Sequence, residues 1–348
     1  MNDTLRLPAE WEAVDAILMA WPHSDTDWNY ILDDVRQCYA RIIAAVAPRA
    51  KVILIGPEEP VAEYLPEGDD RLNVIYINIP TNDTWTRDYG PITTIDETGA
   101  LTANDFKFNG WGLKFAADRD NLATSELFST GIFSSRRLNR LGFVLEGGAI
   151  ESDGHGTIIT TRHCMMSPNR NGDMSEHQIE EYLRRSLGAD RILWLGHGSL
   201  EGDDTDGHID TLARLAPPGD VIFYTGCPDA DDSHHKPLAL MKKDLEALTT
   251  ADGKPYHLVE LPLPDAIHDP DDGHRLPATY ANFLIVNGAV ILPVYGQPMK
   301  DLMAKMAIQA AMPDYDIIPV DCRTLIRQHG SLHCATMQLP YNSLSTVS

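Results

Sequence analysis

One order of elements recurs about five times along this chain, at intervals of roughly sixty to seventy residues: an amphipathic helix, a short apolar strand, a polar motif and a hairpin. Apolar residues at three-to-four spacing predict helices over Leu32 to Ala47, Asn121 to Phe133, Ser175 to Leu187, Lys236 to Thr249 and Asp301 to Ala311. The third is punctuated, with Ser175 and Gln178 at capping-box spacing and Gly188 where a helix-ending glycine belongs. Short β-branched runs at Val52 to Ile55, Val74 to Ile79, Gly142 to Leu145, Arg191 to Leu195, His257 to Leu261 and Ile317 to Val320 read as buried strands. Turn chemistry predicts hairpins at Asp96-Glu97-Thr98-Gly99, Asp153-Gly154-His155-Gly156, Pro217-Pro218-Gly219-Asp220 and Asn287-Gly288.

A repeat of elements without visible identity between the copies points to five units around a common axis. The expectation is one closed α/β domain over residues 1–348 rather than two independent ones. Alternation alone would also permit a doubly wound open sheet. The chain has no Gly-x-Gly-x-x-Gly turn and no phosphate loop, so no nucleotide and no other cofactor is expected.

Twenty-eight basic against fifty-one acidic residues give a net charge of −23, which repels nucleic acid and anionic membranes and favours a cationic ligand. The five cysteines, Cys38, Cys164, Cys227, Cys322 and Cys334, are scattered and form no Cys-x-x-Cys pair. Neither a disulfide framework nor a structural zinc site follows, and such thiol usage suits a reducing cytoplasm. Met1 to Pro22 lacks a leader pattern, and no stretch approaches the roughly eighteen apolar residues of a membrane span. The acidic, histidine-bearing stretches Asp229 to His235 and Asp265 to His274 lack calcium-loop and His-x-x-x-His spacing, so they read as surface loops and no metal is expected. A homo-oligomer is compatible with all of this.

Chemistry concentrates in four motifs: Trp85-Thr86-Arg87-Asp88, Glu146-Gly147-Gly148, Gly207-His208-Ile209-Asp210 and His333-Cys334. Taken singly, each has an ordinary explanation. Cys334 reads as a small buried hydrophobe, His208 as a bonded core histidine, and Asp88, Asp210 and Glu146 as turn or capping residues. A cysteine accompanied by a histidine and several carboxylates is instead a candidate nucleophile.

In order, Thr84-Trp85-Thr86-Arg87-Asp88-Tyr89-Gly90-Pro91, Phe108-Asn109-Gly110-Trp111-Gly112, Leu145-Glu146-Gly147-Gly148, Gly207-His208-Ile209-Asp210 and His333-Cys334 resemble the agmatine deiminase and bacterial (Porphyromonas-type) peptidylarginine deiminase family. Ser167-Pro168-Asn169-Arg170-Asn171 belongs to the same likeness, which runs from about Pro8 to Gln338. It implies a pentein, an α/β propeller of five pseudo-symmetric αβ modules around a central active site. It also implies hydrolysis of a guanidinium C–N bond, without a metal. Asp88 and Asp210 would then bind the guanidinium nitrogens, which offer a planar fork of donors. Cys334 would attack the central carbon, with its thiol pKa lowered by His208 and the bound cation. His208 would serve as acid and then base, and Glu146 would orient it and touch the guanidinium.

Trp85 and Trp111 would flank the substrate, although tryptophan in an α/β domain is more often core. Asp204, within Glu201 to Asp206, would receive a distal ammonium. The resemblance leaves two substrates open, agmatine and an arginine side chain in a peptide, because Gln328-His329-Gly330-Ser331-Leu332 and Trp111-Gly112-Leu113-Lys114 carry less glycine than the agmatine pattern. A cation-binding protein with an idle thiol is the alternative of another class. A low-pKa Cys334 would separate the two by alkylating faster than the other cysteines near pH 6.

Overall fold

Four of the five units are built alike. The computed structural model describes residues 5–58 and 60–345, so the start of Met1 to Pro22 and both extremes of the 1–348 span lie outside it. The first sheet holds β1 (Val14–Ala20), then, after helix α1 (Leu32–Val46), β2 (Lys51–Gly56) and β3 (Val74–Asn78), all parallel. Next, β4 (Ile92–Ile95) pairs antiparallel with β5 (Leu101–Lys107), and helix α2 (Asp120–Ser129) carries the chain to β6 (Arg136–Val144), parallel to β5.

The same plan gives β7 (Ile150–Ser152), β8 (Thr157–Thr161), α3 (Glu176–Leu187) and β9 (Arg191–Leu195). It recurs as β10 (Ala213–Ala216), β11 (Val221–Gly226), α4 (His235–Ala247) and β12 (His257–Pro262). The last copy is β13 (Leu284–Val286), β14 (Ala289–Val294), α5 (Pro298–Ala311) and β15 (Asp316–Asp321). In the first unit the antiparallel partner of β1 is β16 (Met337–Pro340), from the far end of the chain. The two ends of the described chain thus close the ring of sheets, which is the pentein arrangement.

Local sequence explains the elements. Each of the four turn motifs joins the two strands of its hairpin. Ser175 accepts from the Gln178 backbone while the Gln178 side chain accepts from the Ser175 N–H, so the capping box forms. Strands β8 and β11 are buried along their length, as expected of strands covered on both faces. Strand β6 is longer than expected because Arg136, Arg137 and Arg140 break its apolar pattern. Their Nε atoms donate across the strand pair to Thr102, Asp105 and Asn104. Among the described residues no helix is long and apolar enough to cross a membrane.

The links from the last strand of one unit to the first strand of the next carry the polar motifs. Asp88 lies between β3 and β4, Glu146 between β6 and β7, His208 and Asp210 between β9 and β10, and Cys334 between β15 and β16. The remaining link, between β12 and β13, carries Asn282.

Candidate active site

All five links meet at Cys334 and its neighbours. The cysteine is buried, and its Sγ lies 3.7 Å from Asp210 Oδ2 and accepts from Asn282 Nδ2 at 3.3 Å. Asn282 Oδ1 accepts from the backbone N–H of His333 at 2.9 Å and of Cys334 at 3.3 Å, fixing the turn that presents the thiol. The sequence reading did not single out Asn282. Its only signal is positional, a polar side chain in the link equivalent to those bearing the other motifs.

Burial, then Asp210 and Asp88, push the Cys334 thiol well above its ordinary range. In the free protein these groups oppose the lowering that the resemblance assigns to His208 and the bound cation. The groups immediately around the sulfur are carboxylates and an amide, not cations.

Asp88 is held at both oxygens: Oδ1 accepts from Gly148 N at 3.0 Å and Oδ2 from Trp111 Nε1 at 2.9 Å. Burial, with Asp210 adding, lifts its carboxyl to about 6 against the pull of His208. Asp210 behaves oppositely. Burial works against its charge, but the bond from His333 Nδ1 at 2.7 Å prevails and its carboxyl is lowered. Its Oδ1 is buried and has no hydrogen-bond partner.

His208 is fully buried, with Nδ1 3.6 Å from Asp88 Oδ1 and neither ring nitrogen hydrogen-bonded. Burial opposes its charge, yet Asp88, the Cys164 thiol and Glu146 together raise it to about 10. That direction favours the imidazolium form. The resemblance implies that Glu146 orients His208, but its carboxylate makes no hydrogen bond to the ring and accepts from Arg170 Nε at 2.8 and 3.0 Å instead. Arg170 also donates to Asp206 Oδ2 at 2.6 Å and to the Thr205 carbonyl at 2.8 Å. It tethers Glu146 to the loop ahead of His208, a role its place in Ser167 to Asn171 did not disclose.

A cleft of ≈430 Å3 leads to Cys334 and Asp88. Trp85, Trp111 and Phe115 supply aromatic walls, and Asp27, Asp83 and Asp204 supply carboxylates. Burial, with Asp27 adding, lifts Asp83 to about 7. Asp204 stands near the mouth, its Oδ2 3.6 Å from His329 Nε2. Gly330 is obligatory beside Trp85, because a Cβ there would lie 2.4 Å from the indole ring. Trp111 is more than a wall, since it fixes Asp88 from a left-handed backbone (φ 53°).

Among the described residues, two buried groups bring metal-type ligand atoms within 4.8 Å of one another: Glu146, Cys164 and His208, and Glu10, Glu151 and His333. In each the carboxylates already bind an arginine, Arg170 in the first and Arg214 in the second. A cation entering either would have to displace a guanidinium from its carboxylate. The two acidic stretches expected as loops are likewise held by arginines, Arg275 on Asp232 and Arg327 on Asp269 and Asp271.

A buried thiol, an imidazolium and converging carboxylates at the centre of this propeller define a hydrolase of C–N bonds in linear amidines. The family model for Porphyromonas-type peptidyl-arginine deiminase matches residues 6–340, and the chain belongs to that family. It is 33% identical to the agmatine deiminase of Stutzerimonas stutzeri, over 97% of this chain and 96% of that one. A C. jejuni agmatine deiminase, solved as a cysteine-to-serine variant with substrate bound, superposes with a TM-score of 0.89 at 36% identity, covering 98% of this chain and 97% of that one. A Porphyromonas gingivalis structure provisionally described as an arginine deiminase gives a TM-score of 0.91 at 44% identity, covering 98% of this chain and 100% of that one.

Proposed function

We propose that the chain, as a single catalytic unit, hydrolyses agmatine to N-carbamoylputrescine and ammonia through a covalent intermediate on Cys334. The guanidinium is held by Asp88 and Asp210, which accept from its nitrogens and bring its carbon to the sulfur. Its positive charge offsets the two carboxylates that keep the thiol protonated, so binding favours the thiolate and the thiol proton leaves to solvent through the cleft. Attack forms the S–C bond and a tetrahedral adduct. His208, already protonated, gives its proton to the departing nitrogen as the C–N bond breaks, releasing ammonia and leaving a thiouronium. Neutral His208 then takes a proton from water as the oxygen adds. Collapse of the second adduct breaks the S–C bond, the hydroxyl proton passes to the departing sulfur to restore the thiol, and the ureido product is freed.

The observation carrying this substrate is the cleft wall: beyond Asp88 it presents the carboxylates of Asp27 and Asp204, with Asp83 lifted to about 7 beside them, and no lysine or arginine among its lining residues. That lining suits a chain ending in an ammonium and disfavours one ending in a carboxylate. Arginine within a peptide is the second reading, favoured by the family match. The test is ammonia release from agmatine, free arginine and an N-acylated arginine amide, with Cys334→Ala as blank. Agmatine reacting best supports the proposal. Preference for the blocked arginine replaces it with peptide deimination, and silence on all three overturns both.

A further inference from the structure

Behind the catalytic centre lies a second, partly open cavity lined by Glu10, Arg87, Gly147, Glu151 and His333. The Gly147-Gly148 turn separates it from the substrate cleft. Gly147 borders the cavity, whereas a Cβ on Gly148 would point at His208, Asp88 and Asp210. Groups on the cavity side cannot touch a substrate on the other, yet one of them reaches through.

His333 Nδ1 lies 2.7 Å from Asp210 Oδ2, and its Nε2 lies 2.6 Å from Glu10 Oε2 and 3.1 Å from Arg214 Nη2. Glu10 is pinned in turn: Oε2 also accepts from Arg214 Nη2 at 2.7 Å, and Oε1 accepts from Ile285 N at 2.7 Å. All of these side chains are buried. The consequence for Asp210 is asymmetric, with one oxygen tied to His333 and the other, Oδ1, buried without a partner. An unpaired buried carboxylate oxygen is costly, and a native fold keeps one where a ligand completes it.

We propose that His333, anchored by Glu10, is the positioning residue for Asp210: it turns the carboxylate so that Oδ1 stays open to the guanidinium. The inference rests on the reading of Asp210 as a guanidinium partner given above. The rigid Arg214, Glu10 and His333 chain fixes the ring, and the ring fixes the carboxylate. Asp210 then meets the substrate without paying the entropy of its own alignment.

Two substitutions separate this from a merely structural role. An asparagine at 333 places an amide nitrogen near the position of Nδ1 and keeps the bond to Asp210. A glutamine places one near Nε2 and keeps only the bond to Glu10. The expected result is that His333→Gln raises KM for agmatine about tenfold, the worth of one charge-assisted hydrogen bond, with a smaller change in kcat. His333→Asn should stay within about threefold of the parent. Equal losses in both variants with equal falls in Tm, or an unchanged KM in His333→Gln while Asp210→Asn raises it, overturn the inference alone. An unchanged KM in Asp210→Asn overturns the reading of the site beneath it.

Discussion

Arg170 grips both oxygens of Glu146 from a single nitrogen, Nε, at 2.8 and 3.0 Å, and both side chains are sealed from solvent. The same guanidinium reaches Asp206 and the Thr205 carbonyl, so one side chain sets the distance between the Glu146 link and the His208 link. Lysine cannot reproduce that fork. Arg170→Lys should lower the melting temperature, since breaking a buried pair typically costs about 3–5 kcal/mol of stability, and should lower kcat/KM about a hundredfold, the scale of a displacement of about 1 Å at the site. Steady-state kinetics on agmatine beside a melting curve measure it, and parent-like kinetics would show the clamp to be dispensable.

The pH dependence follows from two groups. Asp88 must be ionised to hold a cation, and burial with Asp210 lifts it to about 6, so kcat/KM should fall as pH drops through that value. His208 must be protonated to release ammonia, and with a value of about 10 it loses that proton only on the alkaline side. A bell between these limits is expected. Activity undiminished down to about pH 4, where model carboxyls titrate, would rule out Asp88 as an ionised ligand.

Thiol reactivity should depend on ligand. In the free protein Cys334 is held protonated, so iodoacetamide near pH 6 should not modify it faster than the other four cysteines. An alkyl guanidine too short to fill the cleft should accelerate its alkylation, read by peptide mass. Fast modification without ligand would instead mean that the protein alone forms the thiolate.

Gly148 has no room for a side chain. A Cβ there would stand 2.6 Å from His208 Nδ1, 2.9 Å from Asp88 Oδ1 and 3.0 Å from Asp210 Oδ2. Gly148→Ala should cost at least about a hundredfold in kcat, because displacement of about 1 Å at reacting groups has that scale, while the melting temperature changes little. Retained turnover would mean that the three groups tolerate movement.

Residues 110–113 all take positive φ, 67°, 53°, 82° and 70° in turn. Leu113 is 72% exposed and gains little from burial in return for that strain. Leu113→Gly should stabilise the fold by about 0.5–1 kcal/mol, the left-handed strain less the added chain entropy of glycine. Denaturant midpoints decide it, and a loss of stability would locate Leu113 in an unsuspected contact. At this position the sequence departs from a glycine-rich expectation, and the backbone retains the glycine-like conformation.

The modules were legible because their signals are local. Turn residues at Asp153 to Gly156 and Asn287-Gly288, and the capping box at Ser175, act within a few neighbours of their own positions. Strand β6 was clipped because its arginines face solvent and mask the apolar pattern. The catalytic motifs were visible through resemblance, but their partners were not. Asn282, Arg170 and Glu10 act across 52, 24 and 323 positions of sequence, on Cys334, Glu146 and His333 respectively. No local pattern encodes such distances. Asp204 was expected at the cation end of the cleft and lines it, whereas Asp27 and Asp83, which share that lining, lay outside any motif.

The pairing of β1 with β16 ties closure of the ring to the nucleophile. Cys334 lies just ahead of the strand that shuts the ring, and its Asp88, Glu146 and His208 neighbours precede it in the chain. Removing Met337–Pro340 would take away both the antiparallel partner of β1 and the segment that follows Cys334, so one strand seals the ring and seats the thiol at its centre.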